Sequence, residues 1–80
     1  MNVPRNPLTD GAAVMARDGR AGKVDEFVID AQTGVITHLV VRETHWWRHK
    51  EIVVPVSEIS EIEEDEVILK LDRRELENLA

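Results

Sequence analysis

The sequence predicts an all-β fold: a small barrel, closed or partly open, of about five or six short antiparallel strands followed by a short C-terminal helix. Three observations point there. Runs rich in valine and isoleucine recur at intervals of roughly eight to twelve residues. Glycine, aspartate or proline punctuates the gaps between them. No stretch sustains the apolar spacing of a long amphipathic helix. Closure is the favoured form because it removes the exposed edges that threaten a small sheet.

Residues 1–7 contain Pro4 and Pro7 with little to bury, and read as a flexible N-terminal arm before a single domain spanning 8–80. Residues 13–16 are the first strand candidate, and Asp18-Gly19 after them is a hairpin signal, since glycine accepts the positive φ of a tight turn. The second run covers residues 23–29. Its alternation breaks at Asp25 and Glu26, where two polar residues in a row shift the phase by one, as a β-bulge does. Residues 30–34 are a turn closed by Gly34.

Residues 35–42 form the third run, with Val35, Thr37, Leu39 and Val41 on one face and Ile36, His38, Val40 and Arg42 on the other. Residues 52–56 are the fourth, with Ile52, Val54 and Val56 facing one way, and Pro55 belongs at an edge or a strand end because it cannot donate to a ladder. Residues 57–62 read as a short turn or 3-10 segment, from the spacing of Ile59 and Ile62. The last strand runs over 66–71, with Val67, Leu69 and Leu71 on one face. Asp72 then fits an N-cap with Glu75 three residues on, a capping-box signature, and Leu76 and Leu79 pack the following helix against the barrel. Leu39, Val41, Val54 and Leu69 are expected to share the interior.

Composition narrows the function classes. The chain has 80 residues, 42% of them hydrophobic, and no cysteine, which excludes disulfides, Cys-based zinc sites and thiol catalysis. Its net charge of −6 disfavours direct nucleic-acid binding, which draws its affinity from Lys and Arg. The acid is densest at Glu61, Glu63, Glu64, Asp65 and Glu66, read as a solvated turn. No apolar run approaches the roughly 20 residues of a membrane helix, and the N-terminus lacks the apolar centre of a secretion signal, so the expected location is cytoplasmic.

Catalytic signals are weak. Ser57 and Ser60 sit in no nucleophile elbow. The segment Asp18-Gly19-Arg20-Ala21-Gly22-Lys23 lacks the spacing of a phosphate-binding loop and reads as part of the hairpin. His45 and His49 are four apart, a zinc-ligand spacing on a helix, with His38 or a carboxylate as third ligand. Yet this stretch joins two strands and has no helical character. No enzyme activity, metal or cofactor is therefore assigned.

Two of the three aromatic residues are adjacent, Trp46 and Trp47. Neighbours in an extended segment point to opposite faces, so both cannot enter one core. They sit beside Arg48 in the most basic local stretch, His45 to Lys50, a composition typical of interaction hot spots. The pair either caps one end of the barrel or binds a partner. In the second case the partner-binding residues are His45, Trp46, Trp47, Arg48 and His49, and the basic stretch complements the acidic turn of a second copy.

Taken in order, these segments resemble the PRC-barrel domain family. The matching pieces are Gly11-Ala12-Ala13-Val14, Asp18-Gly19-Arg20-Ala21-Gly22-Lys23-Val24 and Val28-Ile29-Asp30. They continue through Thr33-Gly34-Val35-Ile36-Thr37-His38-Leu39-Val40-Val41 and Val53-Val54-Pro55-Val56-Ser57-Glu58-Ile59 to Val67-Ile68-Leu69 and Arg74-Glu75-Leu76. The resemblance implies a small β-barrel that works as a protein-interaction or assembly module without a shared catalytic residue. Its members include the cytoplasmic part of the photosynthetic reaction-centre H subunit and the C-terminal domain of a ribosome-maturation factor. The expected function is thus a non-enzymatic interaction module that self-associates. The alternatives are an adaptor in ribosome assembly acting through a protein partner, and a metal-responsive domain built on His38, His45 and His49.

Overall fold

The computed structural model describes residues 11–43 and 50–79. The strands are β1 (Ala13–Ala16), β2 (Gly19–Ile29), β3 (Ile36–Glu43), β4 (Glu51–Pro55), β5 (Ile59–Ile62) and β6 (Glu66–Leu69), followed by helix α1 (Arg73–Glu77). They form one sheet in the order β4-β3-β2-β1-β6-β5. The curled sheet is therefore the partly open form of the barrel: β4 and β5 end it and are not hydrogen-bonded to each other. The ladders are antiparallel except β1 with β6, which run parallel. That departure from an all-antiparallel sheet follows from the long excursion between them, since parallel strands need a crossover rather than a hairpin.

The elements start and stop for local reasons. The β1–β2 hairpin pairs Ala16 with Gly19, so Arg17 and Asp18 occupy the turn and Gly19 takes the positive φ of 139° as the first residue of β2. β2 is longer than the expected 23–29 because the whole glycine-containing segment joins the ladder. The phase break at Asp25 is a bulge: Val24 pairs with Val41 but Glu26 with Val40. The extra residue turns Phe27 inward where strict alternation would have placed Glu26.

In the β2–β3 turn the Asp30 carboxylate accepts from the backbone N–H of Gln32 at 2.8 Å and of Thr33 at 3.2 Å, and Gly34 has φ 72°. Val35 lies outside β3 and is 58% exposed, so it does not extend the buried face of Leu39 and Val41.

Two further segments differ from expectation. The chain leaves β4 at Pro55 and enters a 3-10 turn over Val56–Glu58, which carries Val56 to the surface instead of into line with Ile52 and Val54. Residues 59–62, expected to continue that turn, instead form β5, because Ile59 and Ile62 pair with Leu69 and Val67 of β6. Pro55 is the last residue of a terminal strand, where its missing donor is tolerated.

The interior holds Val14, Val24, Leu39, Val41, Ile52, Val54, Val67, Leu69 and Leu76, each almost wholly buried. Burying each of these stabilises the fold by about 1.5–3 kcal/mol relative to exposure, which is how so short a chain offsets its ordering entropy. Leu76 enters this core from α1, whose N-terminus carries the full capping box. Asp72 accepts from the Glu75 N–H at 2.7 Å, and the Glu75 carboxylate accepts from the Asp72 N–H at 2.9 Å. Leu79, by contrast, lies past the helix end and stays 43% exposed.

Candidate interaction surface

The connection between β3 and β4 carries His45, Trp46, Trp47, Arg48 and His49, and these five lie outside the described residues. Its two ends are placed. Glu43 N–H donates to the Lys50 carbonyl at 2.9 Å, so the connection leaves and re-enters the sheet at one point, on the same side as α1. Lys50 Nζ also pairs with the Glu77 carboxylate at 3.2 Å, tying the helix to the start of β4. His38 is not at this point. It lies in β3 opposite Pro55, five residues before Glu43, which is roughly 17 Å along a strand. Its Nδ1 is 2.9 Å from Thr37 Oγ1. Among the described residues no group of three or more His, Asp or Glu side chains is arranged to hold a metal ion.

An open depression of about 460 Å³ lies beside α1, lined by Asp18, Arg20, Glu43, Arg73, Arg74 and Glu77 among others. Three arginines and three carboxylates line it. The described lining offers no hydroxyl nucleophile and no imidazole. At its rim Asp18 accepts from the Arg73 backbone N–H at 2.9 Å, and the Arg73 guanidinium lies 3.5 Å away. Chiefly that backbone hydrogen bond, with help from the Arg73 charge, holds the Asp18 carboxyl below its ordinary 3.8. A depressed folded-state value means the contact stabilises above 3.8 and is lost as pH falls through the lower, folded-state value. Asp18→Asn should therefore flatten the acid limb of the thermal stability profile between about pH 5 and 2. An acid limb identical to that of the unsubstituted chain would show that Asp18 does not dock the helix.

The acidic turn of residues 63–65 lies at the opposite end of β6 from α1, with Ala13 N–H donating to the Asp65 carbonyl at 3.2 Å. Glu61, Glu63, Glu64 and Asp65 are all exposed, as a solvated turn requires.

The apolar surface is distributed unevenly. Val28, Ile29, Val35, Val53 and Val56 are exposed, and all five lie in or beside β2, β3 and β4. Val53 pairs with Val40, and Val28 with His38, so Val53, Val40, Pro55, His38 and Val28 share the outer face of that half of the sheet. The other half carries Ile62 and Leu79 among its exposed large apolar residues, beside the acidic turn. No sequence signal beyond the alternation of Ile52, Val53 and Val54 marked this surface, because outward valines in a strand look the same whether or not the edge beside them is covered.

Among the described residues no helix is long and apolar enough to cross a membrane. No curated protein matches the chain. The family model of the PRC-barrel domain matches residues 10–76, nearly the whole chain. With that match and a six-stranded half-barrel capped by a short helix, the chain belongs to the PRC-barrel domain family.

Proposed function

We propose that the domain is a non-enzymatic interaction and assembly module of the cytoplasm, and that it binds a second copy of itself through the β2–β3–β4 half of the sheet. The observation that carries this reading is the one-sided surface. Exposed apolar side chains gather on the half that ends in β4, while the densest acidic run, residues 61–66, lies at the other edge. Apolar patches of this kind mark contact sites on small domains. A domain this small also gains stability from association. The reading assigns His45, Trp46, Trp47, Arg48 and His49 to the same contact because they directly precede β4 in the sequence. Tryptophan and arginine are the residue types on which binding energy concentrates.

Sedimentation equilibrium tests the reading. The unsubstituted chain should dimerise with rising concentration. Trp46→Ala, Trp47→Ala and Val53→Lys should each weaken association at least about tenfold, or about 1.4 kcal/mol. Val53 is 50% exposed, so Val53→Lys should leave the circular-dichroism spectrum unchanged. A chain that stays monomeric at millimolar concentration would overturn the proposal.

A further inference from the structure

β4 is one edge strand of the sheet. Glu43 donates to the Lys50 carbonyl, and the β3–β4 register runs on without a bulge, Arg42 opposite Glu51, Val41 opposite Ile52 and Leu39 opposite Val54. Backbone groups alternate in direction along an antiparallel strand. Those of Ile52 and Val54 therefore face β3, and those of Glu51, Val53 and Pro55 face away from it. Among the described residues β4 has no second strand neighbour, and no backbone group accepts from the Glu51 or Val53 N–H. Strand edges of this kind recruit a further strand.

The sheet's other edge is unsuited to self-pairing. β5 contains Glu61 and a break in its register, and it runs into Glu63, Glu64 and Asp65, so two copies would set like charges together. β4 carries a single charge, Glu51, which the Arg42 guanidinium already meets at 3.2 Å.

We infer that β4 pairs antiparallel with β4 of a second copy about a two-fold axis at Val53, an inference that rests on the self-association proposed above. In this register Val53 faces Val53 of the second copy, and Glu51 faces Pro55 of the second copy. The Val53 donors are satisfied by each other's carbonyls, and each Glu51 N–H meets a Pro55 carbonyl. The donor that proline lacks falls at the rim, where water reaches the carbonyl opposite it. On the outer face the exposed Val53 of one copy meets Val53 of the other, each beside the buried Val40 of its own sheet. The two Glu51 side chains are kept apart. A register centred on Glu51 would oppose two carboxylates, and one centred on Pro55 would have no donors at its centre.

The chain has no cysteine, so single substitutions can read the register. Facing residues of a hydrogen-bonded antiparallel pair have Cα atoms about 5.5 Å apart, within disulfide range. The two Glu51 positions would be roughly 14 Å apart. Under mild copper-catalysed oxidation, Val53→Cys should convert mostly to a covalent dimer, and Glu51→Cys should do so at least about tenfold more slowly. Hydrogen exchange on the unsubstituted chain gives an independent readout: the Glu51 and Val53 amides should gain protection as concentration rises. If sedimentation shows dimers while Val53→Cys does not cross-link and these amides stay unprotected, edge pairing is wrong and the interaction module stands. Equal cross-linking of Glu51→Cys overturns the register. If the chain is monomeric throughout, both readings fall.

Discussion

Gly22→Ala should destabilise the domain by about 3 kcal/mol, the size of a severe overpacking defect. Gly22 lies inside β2, opposite Val14 on one side and Glu43 on the other. A Cβ there would stand 2.2 Å from the Arg42 carbonyl oxygen, 2.9 Å from its carbon and 3.1 Å from the Glu43 Cα. All three are backbone atoms of β3, so no side chain can swing aside. Relief requires β2 and β3 to separate where the β3–β4 connection leaves the sheet and α1 packs. Whole domains of this length are stable by only about 4–12 kcal/mol, so the midpoint of thermal unfolding should fall by roughly 12–24 °C. Gly34→Ala is the contrast. Gly34 has φ 72° but nothing within 4 Å of a new Cβ, so it should lose only the left-handed preference, about 1 kcal/mol. Denaturant unfolding of both variants checks the pair. A Gly22→Ala loss no larger than that of Gly34→Ala would show that the strands yield freely.

The second large effect separates two leucines that the sequence treats alike. Leu76→Ala should cost about 3 kcal/mol, whereas Leu79→Ala should stay within about 0.5 kcal/mol. Leu76 is 1% exposed in the core and Leu79 43% exposed. A helix of five residues has no stability of its own. α1 is held by its capping box, by Asp18 accepting from Arg73, by the Lys50–Glu77 ion pair and above all by Leu76. Its loss opens the mouth of the barrel between β6 and β4. The Ile52 and Val54 amides should then exchange faster with solvent in Leu76→Ala than in Leu79→Ala. Equal unfolding midpoints for the two variants would mean that α1 is an ornament rather than a plug.

The features legible in advance share a short range. The Asp72–Glu75 spacing is read correctly because a capping box is closed within four residues. The Asp25 bulge shows as a break in alternation because a phase slip puts an acid where an apolar residue belongs. Leu39, Val41, Val54 and Leu69 were recognisable as interior from period-two alternation and are all in the core. β5 was hidden because Ile59 and Ile62 also fit a tighter turn, and only the ladder offered by Leu69 and Val67 makes them a strand. Gly22 was hidden for the same kind of reason. In the sequence it is one more glycine beside a hairpin, and its role depends on a carbonyl of Arg42, which lies twenty positions away.

The surface beside β4 divides the same way. The lone strand proline, Pro55, and the outward alternation of Val53 were visible. Its geometry was not. By itself the sequence determined the turns, the bulge, the helix cap and which side of each strand is apolar, since these follow from steric and hydrogen-bonding rules acting over a few residues. Only the tertiary structure decided that β1 lies parallel to β6, that β4 and β5 end the sheet without pairing, and that Val53 lies in an edge strand. Those outcomes depend on which distant strands meet first and which are left over, and a strand's own residues carry no record of the neighbour it lacks.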